Sequence, residues 1–329
     1  MNDLTACLEA ALARRSALIA QLAAEQTDCC RLLHGASEGQ PGLTVDRYGP
    51  QILVQSFHRA YAPETMLELG QRAAEILGLE PHVVYHDRSA TKLEHYGAES
   101  AEPMSCRELG VAYEVRDRHR GQDPLLFLDL RAARRRVLAK ARDKSVLNLF
   151  AYTCGVGLCA AIGGAREVWN VDFAASALAV GQRNAQRNRL DQARFVTVHE
   201  DFFVVARQLA GLEIKGRGAL RGYRKFKPRQ FDLVFLDPPA WGKSPFGAVD
   251  LRRDYQSLLK PALLCTAEGG ELFCTNNVAA VMLDDWLEVV ERAVHKTGRQ
   301  LRRIEVIEPE ADFPPLDGRP ALKVVVLHV

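Results

Sequence analysis

From about residue 116 to the end of the chain, short apolar runs alternate with helix-length segments. Seven runs read as strands: 144–151 (KSVLNLFA), 167–172 (EVWNVD), 193–200 (ARFVTVHE), 231–237 (FDLVFLD), 270–276 (GELFCTN), 300–308 (QLRRIEVIE) and 321–329 (ALKVVVLHV). Helical spacing is predicted over 157–164, 176–188, from about Phe203, over 252–266 and over 283–295. Strands this apolar are buried on both faces, which a sheet achieves between two layers of helices. The expectation is an α/β fold with a seven-stranded mixed sheet. The last two strands join without a helix, so one of them should run antiparallel. Ligands of such a sheet sit at the carboxyl ends of its strands.

The preceding region reads differently. Residues 4–25 have the composition and spacing of one amphipathic helix. Two alternating segments flank Tyr48-Gly49-Pro50 as a hairpin. A helix follows Pro63 to about Leu77, 82–87 (HVVYHD) reads as a buried strand, and 105–116 as a hairpin turning at Gly110. The predicted organisation is an N-terminal helix over 1–28, a small α+β domain over 29–115 and a ligand-binding domain over 116–329.

Composition excludes several classes. Hydrophobic residues make up 47% of the 329 and the formal net charge is only +2, so the chain is not disordered. No run is long and apolar enough for a membrane span. The start, MNDLTACLEAALARR, lacks a basic segment followed by an apolar core, so no signal peptide is read and a cytoplasmic location is expected. The eight cysteines contain no C-x-x-C, so reduced thiols and no metal are expected. One local asymmetry stands out. Residues 213–230 hold seven Lys/Arg against one Glu, which suggests an anion contact.

The chemistry concentrates at strand ends. The first strand of the C-terminal region runs through Asn148 into Tyr152, Thr153, Gly155 and Gly157, a glycine turn that lets backbone approach a ligand. Asp172 ends the second strand, where an acid can bind ribose hydroxyls. Gly155-x-Gly157-x-x-Ala160 also satisfies the dinucleotide fingerprint, so an NAD-dependent reductase is a rival, and a turn that only packs a helix is the bland alternative. Asp201 after the third strand and Asp237-Pro238-Pro239 after the fourth favour a different nucleoside cofactor. Proline cannot donate to a ladder, so the chain leaves the sheet abruptly beside Asp237. Three acids and a glycine turn describe a site for S-adenosylmethionine.

These residues resemble the class I S-adenosylmethionine-dependent methyltransferases, and more narrowly the bacterial 23S rRNA large-subunit methyltransferase I/K group. The resemblance rests on HGASEGQPGLTVDRYG (34–49), FLDLR (127–131), NLFAYTCG (148–155) and DPPAW (237–241), spread over about 300 residues. It implies a Rossmann-like methyltransferase domain with Phe127, Asp129 and Arg131 bordering the cofactor pocket. Tyr152, Thr153, Gly155, Asp172, Asp201 and Asp237 join them there. Asn148, Gly157, Phe173 and Phe202 lie beside these motifs and complete the expected cofactor set. The bland alternative for Arg131 is a salt bridge at a helix start.

Two departures matter. Relatives of the I type begin with a small RNA-binding domain, where this chain has the Ala-rich helix. Docking to RNA is therefore expected at Arg47 and in the basic insert, through Arg221, Tyr223, Arg224, Lys225 and Lys227. A solvated loop with incidental charge is the alternative. The cytosine-C5 relatives also place a nucleophilic cysteine after the fifth strand, because that ring carbon needs covalent activation. This chain has Cys274 inside the strand, followed by Thr275-Asn276-Asn277, which resembles the S-N-N of guanine-modifying relatives. The expected target is a guanine nitrogen, ring N7 ahead of the exocyclic N2, with Asp237, Pro238 and Asn276 holding the base and Trp241 stacking on it. An Asx turn is the plain alternative for the asparagines. Cytosine C5 and a non-catalytic RNA-binding assembly factor remain open here. The expected partner is 23S rRNA or a large-subunit precursor particle.

Overall fold

The computed structural model describes residues 2–90, 93–117, 124–214 and 222–329. The chain divides into two compact units. One holds Met1–Arg131 together with Pro309–Gly318; the other holds Ala132–Glu308 together with Arg319–Val329. The expected boundary near 115 thus moves to Arg131, and the N-terminal helix belongs to the first unit. Among the described residues no helix is long and apolar enough to cross a membrane.

The first unit opens with α1 (Asn2–Ala24) and continues with β1 (Cys29–His34), β2 (Leu43–Tyr48), β3 (Gln51–Ser56), α2 (Pro63–Ile76), β4 (His82–Asp87) and β5 (Glu94–Gly97). Its five strands lie in the order β1-β2-β3-β4-β5. Only β3 and β4 pair in parallel, because α2 carries the chain back across the sheet between them. Leu8, Leu12 and Leu22 of α1 are buried with Val45, Val54 and Met66, which is why the helix is part of this core. A separate hairpin, β6 (Met104–Glu108) and β7 (Val111–Val115), turns at Leu109 and Gly110. Both residues have positive φ, 53° and 77°, as a tight hairpin turn requires.

In this unit Arg131 is fully buried. Its guanidinium donates to both carboxylate oxygens of Asp312 (3.1 and 2.9 Å), to Glu108 (3.3 Å) and to the Cys29 carbonyl (3.1 Å). Asp312, itself buried, also accepts from the Arg31 N–H at 3.0 Å. This explains why 309–318 belongs here: Asp312 neutralises a cation that would cost several kcal/mol to bury alone.

The second unit carries the large sheet. Helix α3 (Arg131–Lys140) leads to β8 (Ser145–Leu149), α4 (Gly155–Ile162), β9 (Glu167–Asp172), α5 (Ala175–Arg187), β10 (Phe195–His199), α6 (Phe202–Leu209) and β11 (Phe231–Leu236). A two-stranded ribbon follows, β12 (Trp241–Lys243) and β13 (Ala248–Asp250). Then come α7 (Tyr255–Leu264), β14 (Thr266–Asn276), α8 (Leu283–His295), β15 (Arg303–Ile307) and β16 (Lys323–His328). The sheet order is β10-β9-β8-β11-β14-β16-β15. β16 runs antiparallel to both neighbours and the other six strands are parallel to one another. The order reverses between β8 and β11, so β8, β9, β10, β11 and β14 all end at the same edge around that switch point. The core pairs strand residues Leu147, Val171, Val234 and Leu272 with Val205, Leu258 and Val290 of the covering helices.

Candidate cofactor and substrate site

The chain leaves β8 through an unusual turn. Phe150, Tyr152 and Cys154 all have left-handed φ, 57°, 49° and 65°. For non-glycine residues this costs about 1–2 kcal/mol each. The surroundings hold it in place. Ala151 donates its N–H to the Val171 carbonyl (2.9 Å), and Cys154 donates to the Ala151 carbonyl (2.7 Å). Tyr152 donates its N–H to Asp172 Oδ2 at 2.8 Å. Strain of this kind, fixed by neighbours, is a mark of functional turns. The turn feeds directly into the N-terminus of α4.

Asp172 ends β9 next to this turn. Its Oδ1 accepts the Ala174 N–H at 2.8 Å, so both oxygens accept from backbone. Burial pushes its carboxyl above the ordinary value, against the pull of the Ala174, Tyr152 and Phe173 N–H groups and of nearby His199. Phe173 follows with its ring 68% exposed. Its carbonyl meets His199 Nε2 at 3.0 Å across the register partner of Asp172, which ties the two strand ends together. Asp201 caps α6, accepting the Phe203 N–H at 2.7 Å. The neighbouring Glu200 accepts from the N–H groups of Asp201 (2.9 Å) and Arg224 (3.1 Å), anchoring the insert to the end of β10.

Asp237 lies just past β11 and accepts the Thr275 hydroxyl at 2.5 Å. The Thr275 carbonyl in turn accepts the buried Tyr255 hydroxyl at 3.1 Å. Pro238 is buried and Pro239 exposed, consistent with an abrupt departure from the sheet. Asn276 ends β14 and is fully buried. Its Oδ1 accepts the Val278 N–H at 3.0 Å, the Asx turn raised above as the alternative, while its Nδ2 has no protein partner. Lys323, the register partner of Asn276, is almost fully buried. Its ammonium donates to the Val278 carbonyl at 3.1 Å, and burial lowers its pKa. Nothing in the sequence pattern marked Lys323, since only strand pairing brings it beside Asn276.

The sheet therefore brings Asp172, Asp201, Asp237 and Asn276 to the carboxyl ends of neighbouring strands, with the left-handed turn among them. Four expected positions are spent on the fold. Asn148 is buried and donates to Asn170 Oδ1 at 3.0 Å, a contact inside the sheet. Gly157 faces the same Asn170: a Cβ there would stand 1.9 Å from Oδ1, so this glycine serves helix-to-sheet packing. Phe202 is 5% exposed and stacks on Phe150 at 4.7 Å, in the core. Arg131 is sealed in the ion-pair network of the first unit, the salt-bridge alternative raised above. Phe127 and Asp129 are also in the first unit. There Phe127 is 38% exposed ahead of a 3-10 turn that buries Leu128 and Leu130. Thr153 is buried and Gly155 opens α4 half-buried.

Cys274 is fully buried between Leu236 and Val325 in the sheet register, and burial pushes its thiol up to about 12. A covalent step on a cytosine needs an accessible thiolate, which this residue cannot supply. Among the RNA-contact candidates, Arg224, Lys225 and Lys227 are exposed and Tyr223 half-buried. Arg221 lies outside the described residues. Arg47 is half-buried, with Nε donating to the Gly49 carbonyl at 3.0 Å. Its neighbours are not surface groups: Asp46 is paired with Arg31 at 2.8 Å, and Tyr48 is buried.

The sequence pattern that defines an S-adenosylmethionine-dependent methyltransferase family matches residues 64–328. A ribosomal RNA large subunit methyltransferase of Deinococcus radiodurans is 36% identical over 309 residues, 90% of this chain and 71% of that protein. Ribosomal RNA large subunit methyltransferase I of Shigella flexneri is 28% identical over 310 residues, 89% of this chain and 72% of that protein. A solved methyltransferase complexed with SAH shares the fold with a TM-score of 0.81 and 22% identity, covering 100% of this chain and 81% of that one. A SAM-dependent methyltransferase structure from Streptococcus mutans gives a TM-score of 0.80 with the same identity and coverage.

Proposed function

The chain belongs to the S-adenosylmethionine-dependent methyltransferases, and we propose that it methylates a guanine nitrogen of large-subunit ribosomal RNA, ring N7 ahead of the exocyclic N2. The observation that carries this reading is the row of strand-end groups, Asp172, Asp201, Asp237 and Asn276, beside a Cys274 thiol sealed in the sheet. The donor set fits the cofactor. Asp172 offers a charged acceptor to the ribose hydroxyls, Asp201 keeps a carboxylate oxygen beyond its cap, and exposed Phe173 offers a flat apolar face. When bound, S-adenosylmethionine supplies an electrophilic methyl group on a sulfonium.

The protein's part is orientation and electrostatics. Turn residues Tyr152, Thr153 and Gly155 present backbone to the ligand. Asp237, fixed by the Thr275 hydroxyl, and Pro238 set the floor on which a base is positioned. Asn276 Nδ2 is a buried donor without a protein partner, suited to an acceptor on the base edge. Trp241, 69% exposed two residues past the prolines, offers a ring that stacks on that base in this reading. Guanine N7 carries an in-plane lone pair and needs no proton acceptor. At N2 a proton must leave, and Asp237 is the carboxylate in position to take it.

The test is transfer of tritiated methyl to 23S rRNA prepared without its modifications, followed by digestion to nucleosides. Label in a methylguanosine is the expected result. Label found only in 5-methylcytidine would overturn the base assignment.

A further inference from the structure

The ribbon β12–β13 has two unlike faces. On the inner face Val249 is buried, and Phe246 at the tip packs against the same core. The tip is tight: Ser244 donates its N–H to the Gly247 carbonyl at 2.8 Å, and Phe246 donates to the Ser244 hydroxyl at 3.1 Å. Gly247 is pressed so close that a Cβ would stand 2.6 Å from the Phe203 ring. Leu251 closes the base of the ribbon, donating to the Ala240 carbonyl at 3.2 Å. The outer face carries Trp241 and Lys243, both exposed and two residues apart, hence about 7 Å along the strand. A rigid ribbon that holds a tryptophan in solvent gains little stability from it.

The insert joins this ribbon at its tip. The Tyr223 ring meets Phe246 edge-on at 6.1 Å, and Lys225 Nζ lies 4.1 Å over the Tyr223 ring. Arg224 lies over Phe226 at 5.1 Å, and Phe226 is tilted against Trp169 at 6.1 Å, so residues 223–226 are anchored by their aromatics. The Tyr223–Lys225 pair thus meets the tip of a ribbon whose other exposed side chains include Trp241 and Lys243. Exposed Arg224 and Lys227 belong to the insert, and exposed Arg252 and Arg253 follow β13 just past Leu251. The acids among them are largely engaged: Asp250 accepts the N–H groups of Arg252 and Arg253, Asp254 caps α7, and Glu200 holds Arg224.

We propose that this ribbon-and-insert surface is the docking platform for the single-stranded RNA that flanks the target nucleotide. Cations along it neutralise phosphates, and Tyr223 takes a neighbouring base by stacking. Stacking needs bases splayed from a helix, and a duplex presents neither free faces nor this spacing. The proposal rests on the RNA reading above, and it adds residues, Lys243 and Phe246, that the sequence did not single out.

The test is fluorescence anisotropy with a short labelled single-stranded oligoribonucleotide and the same sequence as a duplex, over a salt series. The full-length protein is compared with K225S, K243S and Y223A. The single strand should bind more tightly than the duplex. Each lysine variant should flatten the log–log salt dependence by about one charge, and Y223A should weaken binding by about tenfold. Calorimetric affinity for S-adenosylmethionine should be unchanged in all three. An unchanged salt slope in both lysine variants, or equal affinity for duplex, would overturn the platform. If RNA binds with the expected pattern but no methyl is transferred, the platform stands and the function proposed above fails. If methyl transfer proceeds and the variants bind RNA like the parent protein, the reverse holds.

Discussion

Replacing Asp172 by Asn keeps the shape of the side chain and removes its charge and one acceptor. Both carboxylate oxygens accept backbone N–H groups at 2.8 Å, from Tyr152 and Ala174. An amide can serve only one of them, and its NH2 then faces a donor. A lost hydrogen bond to a charged group costs about 1.5–3 kcal/mol, and Tyr152 sits in a left-handed turn that depends on it. The same substitution takes away the charged acceptor proposed for the ribose hydroxyls. Asp172→Asn should therefore lose about 1–3 kcal/mol in urea unfolding and weaken S-adenosylmethionine binding by about tenfold to a hundredfold. Asp201→Asn is the control for stability. Its structural bond is a single N-cap to Phe203, and Asn caps as well as Asp. Its unfolding free energy should change by no more than a few tenths of a kcal/mol. Calorimetric titration of the cofactor at fixed pH reads binding, and urea midpoints read stability. Parent-like cofactor affinity in Asp172→Asn would refute the assignment of this carboxylate to the pocket.

Further expectations concern the turn, the sealed thiol and acid stability. Gly181→Ala puts a Cβ 2.4 Å from Cys154 Sγ and should destabilise by about 1–3 kcal/mol. In a Cys154→Gly background, which relieves φ 65°, the same change should become neutral or stabilising. Additive urea-unfolding energies would contradict this coupling. Cys274→Ala should keep methyl transfer and cost only packing energy, about 1–2 kcal/mol; loss of turnover with native stability would restore the cytosine-C5 chemistry. Burial and the adjacent Arg31 guanidinium hold the His34 imidazole at about 4, against an ordinary 6.5. The unfolded chain thus binds more protons between those values. Stability is complete above the upper value and declines as pH falls through the window, by about 2 kcal/mol once partial exposure is allowed for. His34→Gln should flatten the change in urea midpoint between neutral and acid pH, and an unaltered pH dependence would rule His34 out as its source. Gly157→Ala should cost more than 1 kcal/mol, because the new methyl meets Asn170 and disturbs its bond to Asn148; a gain in melting temperature would show that the contact can relax.

The sequence by itself determined the architecture of the second unit. Its strands are apolar on both faces, so only a sheet between helices buries them, and chain order then places the acids after successive strands at one edge. Motif comparison added the chemistry, because Asp172, Asp201 and Asp237 each end a strand that could be counted from the sequence. What the tertiary structure decided is which side chains remain available there. Asn148, Gly157 and Phe202 sit in the same motifs as their useful neighbours, yet cross-strand and helix contacts consume them. Arg131 meets its partner Asp312 from 181 residues away, a pairing that no local pattern encodes. The same holds for Lys323 beside Asn276, and for the ribbon whose outer face bears Trp241 and Lys243. Periodicity reports which face a residue takes. Whether that residue is spent on the fold or left for a ligand depends on partners distant in sequence, and only packing brings those together.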